Sequence, residues 1–283
     1  MFSTRAVLGS LRKDSDLVIY LIAISATIAV FLSRRYLDKK SFVSFGLKLD
    51  SLAIKDLFFG FLLSGLMAGL VFGLMAAFGL VEITGINWRL ETNVAADNSQ
   101  NLALITIGSL LFLLIPNVII GWWEELVFRG YLLQNMIEGM GRLWAVLASC
   151  VLYGLVHSMN PSASLLSSGI IVLFGFLRIY GYLATHQLWL SIGMHIGWNF
   201  FQGTIFGYAA SGHETISLVE QTASGPIWLS GGEFGPEASV LIIPVIVLAL
   251  VSMRYWAKAT RTAGPLATLF NDRIGCEPEI THA

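Results

Sequence analysis

Glu124 and Glu125 stand side by side in the sequence GWWEELVFRGYLL, directly after a 22-residue stretch, Leu102 to Trp123, that has no ionisable side chain. A carboxylate at hydrocarbon depth costs several kcal/mol unless it is paired. Helical geometry supplies a partner for one of the two. Glu125 and Arg129 are four residues apart and share a face, whereas Glu124 points about 100° away. The expected division is an ion pair for Glu125 and a free, inward-facing carboxylate for Glu124. The plainer alternative is that all three anchor a helix end at the membrane interface.

His157 closes another apolar stretch, in VLYGLVHSMNP. The Gly139-Met140-Gly141 cluster reads as the turn between two antiparallel helices, with Glu124 sixteen residues before Met140 and His157 seventeen after it. At a rise of about 1.5 Å per residue, the two side chains reach nearly the same depth. A water held between them could be activated by general-base catalysis. His195 and Asn199, in LWLSIGMHIGWNFFQG, are four apart and project from one face of a third apolar helix. A ring nitrogen and a carboxamide can both donate to a developing oxyanion. Their plainer use is hydrogen bonding between packed helices. Arg178, in FGFLRIYG, reads as an interface anchor or a partner for an acid. His186 and His213 fall in loop-like positions and receive no role. Cys150 and Cys276 offer neither a disulfide framework nor metal-ligand spacing.

The elements that must carry these residues are membrane helices. Of the 283 residues, 55% are hydrophobic and 12% charged, against about 25% charged in a soluble globular chain. Seven windows lack ionisable residues: Leu17 to Ser33, Leu57 to Val81, Leu102 to Trp123, Leu143 to Val156, Pro161 to Leu177, Ile196 to Gly212 and Ala238 to Met253. Each approaches the roughly 20 apolar residues that a span needs, and the first, with no small-residue cleavage site after it, reads as a retained span. Pro116 with Asn117 could divide the third window and give an eighth helix. Gly65, Gly69 and Gly73, at four-residue spacing, read as a packing stripe. The fold class is therefore all-α: a polytopic transmembrane bundle of about seven or eight spans around an intramembrane polar cavity. It forms one domain, residues 1–256, with a C-terminal tail at 257–283.

Charge location orients the bundle. Arg34, Arg35, Lys39, Lys40, Lys48 and Lys55 follow the first span, and Arg254, Lys258, Arg261 and Arg273 follow the last, so both sides read as cytoplasmic. The acidic segments Glu82 to Asn101 and Tyr208 to Glu237 read as external loops, whereas Arg5, Arg12 and Lys13 argue against an external N-terminus. A net charge of −1 without a basic stripe excludes a nucleic-acid partner from the reading and leaves the lipid bilayer as the medium.

Taken together, the three blocks resemble the type II CAAX prenyl endopeptidase family, also described as the CAAX protease and bacteriocin-processing family. Its first motif stands as Glu124, Glu125 and Arg129, followed by Gly130. The second stands as Tyr153 and His157, with tyrosine where phenylalanine is usual, and the third as His195 and Asn199. The resemblance covers about residues 110 to 205. It implies an integral endopeptidase, expected in a bacterial plasma membrane, that hydrolyses a membrane-associated peptide or protein, prenylated in the eukaryotic members. Glu124 and His157 would activate water, His195 and Asn199 would stabilise the oxyanion, and Glu125, Arg129 and Tyr153 would support them. The cofactor is left open: Glu124, His157 and His195 could hold zinc, and metal-free activation is slightly favoured.

Other intramembrane proteases are disfavoured, since the chain has no His-Glu-x-x-His helix, no Gly-x-Gly-Asp and no Gly-x-Ser-x-Gly. The rivals are a transporter or proton pathway, which also uses buried Glu, His and Arg, and a silent scaffold or immunity protein. No internal repeat favours a transporter. The charge assignment predicts that Met140→Cys is protected from an impermeant thiol reagent applied outside intact cells and labelled after permeabilisation. The reverse pattern sinks this orientation.

Overall fold

The computed structural model describes residues 4–88, 90 and 102–261. Helices dominate: α1 (Thr4–Leu32), α2 (Ser51–Ala77), α3 (Leu102–Glu125), α4 (Leu133–Met140), α5 (Arg142–His157), α6 (Leu165–Thr185), α7 (Trp189–Asn199), the short α8 (Ile227–Ser230) and α9 (Ile242–Thr260). Five helical runs are long and apolar enough to cross a bilayer: Leu17–Leu37, Ser51–Ala77, Thr106–Met140, Leu165–Thr185 and Ile242–Thr260. The remaining two apolar windows form shorter helices, α5 and α7, the latter prolonged by a π-helical stretch, Phe200–Ile205. The architecture is an all-α integral membrane bundle. Among the described residues one small sheet, an antiparallel pair of β1 (Val81–Ile86) with β2 (Val219–Ala223), brings Glu82 opposite Thr222 and Gly85 opposite Glu220.

The division that Pro116 could make does not occur. Pro116 lies inside α3, where Asn117 Nδ2 donates to Leu113 O at 2.8 Å beside the backbone bond that proline removes. The irregularity falls instead at Leu126–Leu132, a π-helical stretch joining α3 to α4 without a break. Single π turns inside helices are frequent at functional sites. The return helix α5 has only 16 residues, ending at His157 shortly before Pro161. It therefore stops level with the carboxylates at the end of α3.

Close packing of α2 on α7 sets the position of the helix bearing His195. A Cβ at Gly193 would lie 2.1 Å from Leu57 O, one at Gly197 2.5 Å from Phe61 O, and one at Gly60 2.4 Å from Leu190 O. Only backbones without side chains can approach so closely. The stripe expected at Gly65, Gly69 and Gly73 contributes less: Gly65 meets the Phe201 ring, whereas Gly73 faces open space. Helix starts are set by local caps. Asp50 accepts from Leu52 N and Ala53 N at the head of α2, and Ser164 with Ser167 forms a capping box for α6. The bond from Ala53 N–H holds the Asp50 carboxyl below the usual carboxylate range.

Helix α9 continues to Thr260, four residues into the segment read as tail; positions 262–283, including Cys276, lie outside the described residues. Its end is clamped to α2 by Asp56, which is fully buried and accepts from Trp256 Nε1 at 2.8 Å and from the Arg261 guanidinium. Trp256 also stacks on Phe59 with centroids 4.2 Å apart. Asp56→Ala leaves Arg261 and Trp256 without their acceptor and is expected to destabilise the protein by about 3–5 kcal/mol, read as a lower midpoint of thermal or denaturant unfolding in detergent. An unchanged midpoint would show that the clamp is dispensable.

Candidate active site

Glu125 is the buried centre of the site. It is fully inaccessible, and its Oε1 accepts from Arg129 Nη1 at 3.1 Å and from His195 Nδ1 at 2.9 Å, with Arg178 Nε at 3.8 Å. Arg129 is itself only 1% exposed. Its guanidinium lies 4.2 Å from the centre of the Tyr153 ring and reaches Gly175 O at 3.4 Å. The expected ion pair between Glu125 and Arg129 is present, but the acid also binds two further helices.

Glu124, one residue earlier, turns to a different set of partners. Its Oε2 accepts from the Tyr153 hydroxyl at 3.1 Å and lies 3.9 Å from His157 Nε2 and 3.8 Å from His195 Nε2. The Tyr153 hydroxyl in turn accepts from Arg178 Nη1 at 2.5 Å. The tyrosine in the usual phenylalanine position thus links a guanidinium to Glu124, while its backbone carbonyl accepts from His157 Nδ1 at 2.9 Å.

These bonds set the imidazole protons. A carbonyl oxygen can only accept, so His157 carries its hydrogen on Nδ1. A carboxylate compensated by Arg129 and Arg178 accepts as well, so His195 also carries its hydrogen on Nδ1. In the neutral form both rings would therefore present an Nε2 lone pair toward the Glu124 carboxylate. Three acceptors meet there, and each needs a proton donor from outside the protein besides the one bond from Tyr153.

The structure thus brings together Glu124, Glu125, Arg129, Tyr153, His157 and His195. Asn199 lies on α7 one turn past His195, half-buried, and its amide makes no hydrogen bond among the described residues. Two further polar residues join them. Of the two readings given to Arg178, the structure shows the partner for an acid and not the interface anchor: it is 3% exposed and occupies the interior of α6, paired with Glu125 and bonded to Tyr153. Its distance from either end of an apolar helix was the available signal. Glu237, read as part of an external loop, is 2% exposed on a 3-10 turn, Pro236–Ala238, and its charge lies within electrostatic reach of His157 and Arg178. The segment folds inward because Phe234 and Ala238 pack with Phe128, Tyr153 and Ile171. Nothing in the local sequence distinguishes this acid from Glu214, Glu220 or Glu233.

Fold and site together define an integral helical membrane protein with an acid–imidazole cluster inside the bundle. Residues 106–201 match the model of the family described as type II CAAX prenyl endopeptidase, Rce1-like, the family whose motifs the sequence resembles. The matched segment contains every motif residue from Glu124 to Asn199. It supports an intramembrane protease function of the CAAX type in general terms. No curated protein and no solved structure matches the chain.

Tyr153→Phe removes the acceptor of Arg178 Nη1 and the donor to Glu124 together. A buried donor left without a partner costs about 1–3 kcal/mol, so the variant should unfold at measurably lower denaturant concentration than the parent. Equal midpoints would mean that Arg178 finds another acceptor.

Proposed function

We propose that the protein is an intramembrane endopeptidase that hydrolyses a peptide bond of a membrane-associated substrate by activating water at Glu124, His157 and His195. The observation that carries this reading is the convergence of three acceptor atoms, Glu124 Oε2 and the two Nε2 atoms, at 3.8 to 3.9 Å. A water between them would donate both hydrogens and keep its oxygen lone pair for attack on a carbonyl carbon. The three side chains come from three helices, so the site orients that water without depending on a flexible loop.

In the reaction we infer, one water O–H bond breaks, the proton passes to Glu124 Oε2, and the oxygen forms a bond to the scissile carbonyl carbon. His195 Nε2 stands next in line. Once protonated there, the ring becomes a donor at both nitrogens, with Glu125 holding the Nδ1 side at 2.9 Å. The role expected for His195 as an oxyanion donor thus requires the imidazolium form, because the neutral ring has already given its hydrogen to Glu125. The free amide of Asn199 supplies a second donor. The scissile C–N bond then breaks with its electron pair on nitrogen, which takes the proton and departs as the amine, and the carboxylic acid stays on the other fragment.

Among the described residues this same trio would hold a zinc ion and supply it with an open position for water. Around a tetrahedral zinc, ligand atoms stand about 3.3 Å apart, closer than the 3.8 and 3.9 Å separations here. Metal-free activation is the reading we propose. Prenylation of the substrate and entry from the cytoplasmic side are inferred from the family and from charge location, respectively.

Glu124→Gln keeps the size of the side chain but cannot accept the proton, and should abolish cleavage of a membrane-associated peptide by the purified protein in detergent while its unfolding midpoint stays near that of the parent. Asn199→Ala keeps the base and should retain a residual rate, reduced about 10²- to 10³-fold. Cleavage by Glu124→Gln at the parental rate would falsify the mechanism. Loss of activity with a chelator, restored by zinc, would replace metal-free activation with a metal site.

A further inference from the structure

We infer that Glu237 is a positioning residue for the α7 side of the site and acts through Trp198; this rests on the hydrolase reading above. Both oxygens of the buried carboxylate are engaged. Oε1 accepts from Trp198 Nε1 at 2.8 Å and Oε2 from Ser211 Oγ at 2.5 Å. Among the described residues Glu237 makes no ion pair, an expensive state for a carboxylate that is 2% exposed. An apolar side chain would fill the same space at lower cost, so a polar side chain here is best explained by what its two bonds hold in place.

What they hold is the junction of the site. Trp198 is 1% exposed, packs with its ring centre 4.8 Å from that of Phe174, and immediately precedes Asn199. Helix α7 changes from α to π winding just past that point, at Phe200. A change in winding shifts the faces on which the following side chains fall, and such turns are frequent at functional sites; Trp198 and Asn199 stand directly before it. Glu237 bonds Trp198 on one side, and the glycine seam with α2 holds α7 on the other. Through Ser211, the same carboxylate reaches the segment after α5. Ser211 O accepts from Asn160 Nδ2 at 3.1 Å, three residues beyond His157. One acid thus ties the helix of His195 and Asn199 to the end of the helix of His157.

The test uses the full chain in detergent with the membrane-associated peptide. Glu237→Leu should lower kcat about ten- to a hundredfold, the range for a small misplacement of reacting groups, with KM changed less than about twofold. Trp198→Phe should do the same, and the double variant should lose no more than the worse single variant. Glu237→Gln can still accept from Trp198 and donate to Ser211 Oγ, so it should keep kcat within about twofold of the parent. Additive losses, losses confined to KM, or a Gln variant as impaired as the Leu variant would overturn the assignment. A second readout is independent of turnover. In a Cys150→Ala, Cys276→Ala background carrying Asn199→Cys, the rate of alkylation by a small permeant maleimide should change several-fold with Glu237→Leu and not with Glu237→Gln. If these rates follow that order while the parent cleaves nothing, the positioning role stands and the hydrolase reading fails. Equal alkylation rates in all three sink the positioning role alone.

Discussion

Burying a carboxylate completely inside an apolar bundle is tolerable only if its charge is compensated where it sits, and Glu125 meets that condition with groups from three directions. Arg129 comes from the same helical run, Arg178 from α6 and His195 from α7. The acid therefore acts as a joint between helices as well as a charge. Through Arg178 it also reaches Tyr153 on α5, whose hydroxyl meets Glu124. Remove the Glu125 charge and two guanidiniums and an imidazole are left facing one another in a low-dielectric interior, where like charges repel strongly. The more exposed Glu124 is joined to this centre through Tyr153 and Arg178.

The same joint decides the chemistry of the histidines. By accepting from Nδ1 of His195, Glu125 turns Nε2 of that ring outward as a lone pair, and the Tyr153 carbonyl does the same for His157. A carboxylate or carbonyl behind an imidazole is a general way of fixing which nitrogen faces the reacting atoms. Helix lengths complete the arrangement. Because α5 stops after 16 residues, its last residue meets the acids at the end of α3 instead of passing them. The glycine contacts between α2 and α7 leave no room for α7 to drift away from that level.

The family match ends at residue 201, yet the side chains that enclose the cluster do not. Phe234 and Ala238 pack on Phe128 and Tyr153, and Glu237 grips Trp198 from the far side. The clustered acids and imidazoles thus sit on the matched helices, and part of the wall that holds them comes from a segment outside the match.

Much of this was legible from residue types and spacing. The membrane bundle followed from windows without charge, because hydrocarbon excludes unpaired ions whatever the fold. The pair of Glu125 with Arg129 followed from helical periodicity, and the meeting of Glu124 with His157 from equal distances on either side of the Gly139–Gly141 turn. Each of these is local or depends on one hairpin. What the sequence left open required knowing which helices touch. The inward turn of Arg178, the tautomer of His195 and the burial of Glu237 depend on partners 25 to 70 residues away. No pattern along the chain encodes such a contact. Hydrophobic spacing determined which residues could lie at membrane depth, and only the packing of α5, α6 and α7 against α3 decided which of their polar atoms would face the same point.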